Sequence, residues 1–146
     1  MSQTYFGSTV RCGSDTLTDS IDGGYTVLSQ TFTVTTTADG LPVTGTCTIP
    51  AQSQIINLIV DMVTAPSFGT ATTVPASIGT VASGTQYCTI ADASLVGRTV
   101  LTFTAAQLTS MSNVGANQTV AFTIDPNGTV ASQGTFRLTV AYSQKV

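Results

Sequence analysis

The chain contains no histidine, no glutamate and no tryptophan, and a single lysine, Lys145. Proton transfer near neutral pH usually runs through histidine or a perturbed carboxylate. Here it would rest on the seven aspartates alone. Charged residues make up only 8% of the 146. Arginine occurs at Arg11, Arg98 and Arg137 and the net charge is −3, so no basic stripe exists to neutralise phosphates or grip an anionic membrane. Neither nucleic acid nor membrane is therefore expected as a partner. No apolar run reaches the roughly 18 residues of a membrane span. The first ten residues, MSQTYFGSTV, have neither the basic nor the apolar region of a secretory signal. Three cysteines, Cys12, Cys47 and Cys88, are an odd number at wide spacings with no CxxC pair. They read as free thiols made in a reducing cytoplasm, not as a disulfide framework or a metal site.

What the chain does have is threonine, roughly a fifth of all residues. With the valines and isoleucines this bias favours strands over long helices. Residues 1–24 are rich in Ser, Thr, Asp and Gly without sustained periodicity and read as an irregular N-terminal arm. Residues 25–146 read as a single domain. In YTVLSQTFTVTTT, Leu28, Phe32 and Val34 fall on one face and Tyr25 and Val27 on the other, which predicts a strand over Tyr25 to Thr37. VTGTCTI alternates Val43, Gly45, Cys47 and Ile49 inward against three outward threonines.

The most apolar stretch, IPAQSQIINLIVDMVTAPSFGT, holds three isoleucines and two valines in its central run and reads better as strand than as helix. Simple alternation puts Ile56, Leu58, Val60 and Met62 on an apolar face. Ile55, Asn57, Ile59, Asp61 and Val63 then share the mixed one, with Asp61 bonding nearby N–H groups or threonine hydroxyls. Short extended pieces follow over Ala71 to Ile78 and Thr85 to Ile90, and Pro75 assigns the first to a sheet edge or a bulge. RTVLTFTA predicts another strand. TAAQLTSMS, with Thr104 and Gln107 at capping-box spacing, predicts one short helix closed before Gly115. QTVAFTI and GTFRLTVAY supply the last strands, separated by the turn Asp125-Pro126-Asn127-Gly128. Some eight short strands with Gly/Pro/Asn turns predict an all-β sandwich of jelly-roll type.

No constellation for catalysis emerges. Six aspartates, Asp15, Asp19, Asp22, Asp39, Asp92 and Asp125, lie in predicted turns or in the arm, where Asp serves local backbone N–H groups. DTLTDSIDGG lacks the spacing and the closing Glu of a calcium loop. There is no GxSxG elbow, Cys88 has no histidine, and the glycines of FGTATTVPASIGTVASGT precede no Lys-Ser/Thr. The sequons at Asn117 and Asn127 carry no meaning without secretion. The expectation is a protein that is not an enzyme and uses no metal and no cofactor.

IPAQSQIINLIVDMVTAPSFGTATTVPASIGT, followed by GRTVLTFTAAQLTSM and a closing TFRLTVAYSQ, resembles a group of small structural proteins encoded near the capsid genes of tailed bacteriophages. The resemblance runs from Ile49 to Tyr142 and departs from the group's form at TAPSF, where Pro66 and Ser67 precede Phe68. It implies a virion component, a head decoration (cement) protein on the exterior of the major-capsid-protein lattice, commonly a homotrimer. On this reading Tyr5, Phe6 and Arg11 of the arm are the candidate capsid contacts. Ala65, Pro66 and Phe68 are the candidate contacts between protomers around a threefold axis. Two other readings share the sandwich: a carbohydrate-binding or adhesin-like module of a phage fibre, and a tail or baseplate subunit.

Overall fold

A computed structural model describes residues 11–12, 15–16, 25–94, 96–112 and 114–145. Two four-stranded antiparallel sheets carry the architecture, as expected for an all-β sandwich. One sheet runs in the order β3 (Tyr25–Thr35), β12 (Thr135–Lys145), β5 (Ser53–Thr64), β9 (Gly97–Thr99). The other runs β4 (Val43–Ile49), β10 (Gln118–Ile124), β7 (Ala76–Gly79), β8 (Cys88–Ile90). Two ribbons complete the strands: β6 (Ser67–Phe68) with β11 (Val130–Ser132), and β1 (Arg11–Cys12) with β2 (Asp15–Thr16). The last pair gives the arm, read as irregular, a short ladder.

The wiring is nested. β3 pairs with β12, β4 with β10, β5 with β9 and β7 with β8, and these pairs alternate between the two sheets. The chain is thus one long hairpin, reversing between β7 and β8, rolled into two layers. Thr36 pins the roll at one corner. Its N–H donates to the Gly134 carbonyl at 2.9 Å, and its hydroxyl accepts the Gly134 N–H at 2.9 Å. That exchange ends β3 at Thr35, two residues short of the expected Thr37.

The core lies between the layers. Val34, Leu58, Val60, Met62, Phe136, Leu138 and Val140 come from one sheet, and Ile49, Ile78, Cys88, Val120, Phe122 and Ile124 from the other. Period-two alternation selects them, most cleanly in β4, where Val43, Gly45, Cys47 and Ile49 turn inward as expected. Gly45 is needed because any side chain there would meet Phe32 and Val34.

Simple alternation fails in β5. Its register against β12 slips twice, so that Ala141 faces Asn57 while Tyr142 faces Ile55, and Thr135 faces Thr64 while Phe136 faces Met62. Each slip is a β-bulge that places one extra residue, Ile56 or Val63, opposite no partner. The first bulge reverses the expected faces at the strand's start: Ile55 is 4% exposed and Ile56 is 49% exposed. Beyond it the expected parity holds, with Leu58, Val60 and Met62 buried.

Other expectations also shift. β7 is an interior strand, because Pro75 stands just before its ladder and needs no N–H there. The extended piece after β9 leaves the sheet at Thr99, so residues 100–104 make no ladder. The helix is as expected. α1 (Ala105–Ser112) starts at a capping box in which the Thr104 N–H donates to Gln107 Oε1 (2.9 Å) and the Gln107 N–H to Thr104 Oγ1 (3.3 Å). Met111 anchors it in the core, and Gly115, at φ +64°, turns the chain out of it. No helix among the described residues is long and apolar enough to cross a membrane.

Candidate interaction surfaces

Outward positions of the β3–β12–β5–β9 sheet form a hydroxyl-rich face. Ser29, Thr31, Thr33 and Thr35 stand opposite Ala141, Thr139, Arg137 and Thr135. The hydroxyls bond across the strands, Thr31 to Thr139 at 2.9 Å and Thr35 to Thr135 at 3.4 Å. Such cross-strand pairs each stabilise a sheet by a few tenths of a kcal/mol, about 0.2–1 at most.

Asp61 sits on this face, and its partners correct the expectation of local backbone bonding. The register places Arg137 of β12 and Arg98 of β9 directly opposite it, one on each side. Arg98 Nε donates to Oδ1 at 3.0 Å and an Arg137 Nη to Oδ2 at 3.1 Å. The carboxylate is 14% exposed beneath two guanidinium groups that are themselves about half in solvent. Hydrogen bonds from Arg98 and then Arg137 hold its pKa below the ordinary carboxylate range. Asp61 therefore stays ionised at neutral pH and acts as a counterion, while both arginine side chains remain substantially exposed to solvent.

A cleft of about 240 Å³ opens beside Arg98, lined by Asn57, Leu58, Ile59, Val100, Leu101 and Phe103. It exists because β9 covers β5 only at Val60–Met62 before the chain departs. A second cleft, of about 180 Å³, lies on the other sheet, where Ser77, Ser83, Thr89, Thr123 and Asp125 surround Pro75 and Ile90. The loop after β7 roofs it, with the Ser83 N–H donating to the Thr123 hydroxyl at 2.8 Å. Both clefts have mixed walls that are more apolar than polar; the first has a cation, Arg98, on its rim and the second a carboxylate, Asp125. Among the described residues no three His, Cys, Asp or Glu side chains come together as a metal site.

Of the residues singled out from the sequence, Tyr5 and Phe6 lie outside the described residues, as does the Arg11 side chain. Ala65 is exposed, Pro66 is buried against Gly134, and Phe68 is 41% exposed in β6, opposite Val130. Two described aspartates serve turns as expected. Burial acts to raise the pKa of Asp92, but the N–H groups of Val74 and Ser94 and the Ser94 hydroxyl outweigh it and hold the group low. The Thr37 hydroxyl and the Leu41 N–H do the same for Asp39. Cys47 and Cys88 are free thiols, and burial pushes the Cys47 thiol up to about 11. The two arginine partners of Asp61 were not singled out. Their outward parity on predicted strands was the available signal, in a chain with so few charges that each one needs a reason. Comparison with protein-family models, with curated proteins and with solved structures returned no match.

Proposed function

We propose that the chain is a non-enzymatic virion structural protein of a tailed bacteriophage: a head decoration protein that binds the outer surface of the major-capsid-protein lattice and cements it. The observation that carries this reading is the broad threonine-rich sheet face, whose only acid is already neutralised by Arg98 and Arg137. Such a face offers hydroxyls and guanidinium donors for polar contacts and gives acid–base chemistry no poised group. The nested strand wiring agrees with a jelly roll, and the resemblance from Ile49 to Tyr142 points the same way. A cement protein stabilises a shell because it binds the assembled lattice and not the separated subunits. Repetition over the lattice multiplies a modest contact.

In this reading Tyr5, Phe6 and Arg11 lie across neighbouring capsid subunits, and the exposed Ala65 and Phe68 form the protomer contact of a homotrimer. Deleting residues 2–20 is expected to abolish co-sedimentation with shells that lack the protein while leaving a cooperative unfolding transition. Undiminished co-sedimentation would refute the arm's role. The cleft at Asp125, with Ser77 and Thr89 in its mixed wall, favours one second reading, a carbohydrate-binding module of a fibre. Micromolar binding on a glycan array, lost in Asp125→Ala, would favour it over the lattice. A tail or baseplate location is separated from a head location by immunolabelling of intact virions.

A further inference from the structure

A sheet edge displays unpaired N–H and C=O groups, and proteins that stay monomeric blunt their edges with short strands, lysine, proline or bulges. Three edges of this sandwich are blunted. β8 and β9 are three residues long, and β9 carries Arg98. β4 is bracketed by Pro42 and Pro50. The fourth edge, β3, has none of these devices. YTVLSQTFTVT contains no charge, no proline and no glycine, and all eleven of its residues pair with β12 without a bulge. Among the described residues β12 is its one ladder neighbour. Leu28 lies on the core-facing side of the strand, in line with Phe32 and Val34, yet is 41% exposed, and Val27 on the other side is 65% exposed.

We propose that β3 is a docking edge for the β3 of a second copy, joined antiparallel across a twofold axis at Gln30 into one continuous eight-stranded sheet. The strand is self-complementary about that residue. Leu28 then meets Phe32 of the mate and Thr26 meets Val34 on the core-facing side. Ser29 meets Thr31 and Val27 meets Thr33 on the outer side. The central pairs match like with like, Leu28 with Phe32, Ser29 with Thr31 and Gln30 with itself, while the two flanking pairs each set a valine against a threonine, and no like charges oppose each other. Both partners of every pair have the same parity, as an antiparallel ladder requires. The occupant is a second copy because the centre of the strand, Leu28 to Phe32, matches itself reversed and the strand carries no charge to repel its own copy. The inference does not rest on the virion reading, and a twofold contact here is separate from a threefold contact at Phe68.

Native mass spectrometry and sedimentation velocity on the full chain test it. The wild type is expected to form dimers, or even-numbered assemblies if the threefold contact also forms. Ser29→Lys sets a lysine against Thr31 of the mate and brings two ammonium groups diagonally close, so dimer affinity should fall about tenfold. Adding Thr31→Asp in the same chain opposes each lysine with a carboxylate in this register alone and should restore the dimer. Circular dichroism and urea titration identify variants that fold. A wild type that stays monomeric or purely trimeric at micromolar concentration would overturn the proposal. So would a folded Ser29→Lys variant that dimerises undiminished, or a double variant that fails to recover. A monomeric wild type whose Ser29→Lys variant loses shell binding would also overturn it, assigning the edge to a lattice protein.

Discussion

Adjacent isoleucines give the most discriminating test of the fold. Unbroken alternation through β5 would put Ile56 in the core and Ile55 on the mixed face; the bulge opposite Ala141 and Tyr142 reverses them, leaving Ile55 4% and Ile56 49% exposed. Truncating a buried isoleucine to alanine loses its transfer free energy and leaves a cavity, together about 2–5 kcal/mol. Ile55 borders the buried Tyr142 across the ladder and Leu58 along its own face, both members of the close-packed core, so little collapse is expected and Ile55→Ala should cost about 3 kcal/mol. Ile56→Ala removes a half-exposed side chain that faces no ladder partner and should cost no more than about 0.5–1 kcal/mol. Urea denaturation of both variants with unchanged m reads the difference. At an m of about 2 kcal/mol per molar, the Ile55 variant loses about 1.5 M of midpoint and the Ile56 variant less than about 0.5 M. An Ile56→Ala cost equal to or above that of Ile55→Ala would refute the bulge and the facing of the whole N-terminal half of β5.

The charge triad predicts a pH effect. Asp61 has a depressed folded pKa, so its stabilisation is full above the unfolded value near 4 and is lost as pH falls through the lower folded value. Because both arginines are well exposed and screened, Asp61→Asn should cost only about 1 kcal/mol at neutral pH, less at high salt, and should shallow the acid limb of the stability curve. Thr104→Ala removes the helix cap and should cost about 0.5–1 kcal/mol by the same titration, with Thr104→Ser retaining most of it. Half-buried Cys47, with its pKa near 11, should react with iodoacetamide at pH 8 far more slowly than in denaturant, as peptide mapping would show.

How far the residues disclose this structure depends on whether a feature is local. The inward set of β4 needs only period-two alternation. The cap at Thr104 needs only a hydroxyl and an amide three residues apart, and the turns at Asp39 and Asp92 need only a carboxylate near free N–H groups. All were legible. The bulges at Ile56 and Val63 were not, because a bulge is a relation between β5 and β12, strands separated by about half of the chain. The pairing of Asp61 with Arg98 and Arg137 depends on the same register. Threonine compounds the difficulty: it suits either side of a strand, so YTVLSQTFTVTTT does not disclose that it ends at Thr35, where Thr36 turns to Gly134. Pro75 misleads for a related reason, since a proline just outside a ladder and one within an edge strand look alike in sequence.

The measurement that bears most directly on the proposed role is cryo-electron microscopy of tailed-phage heads assembled without this chain and then incubated with the purified protein. The account predicts added density at symmetry-related sites on the outer surface of the mature lattice, large enough for a β-sandwich at each site. Shells that remain bare at saturating protein would contradict it.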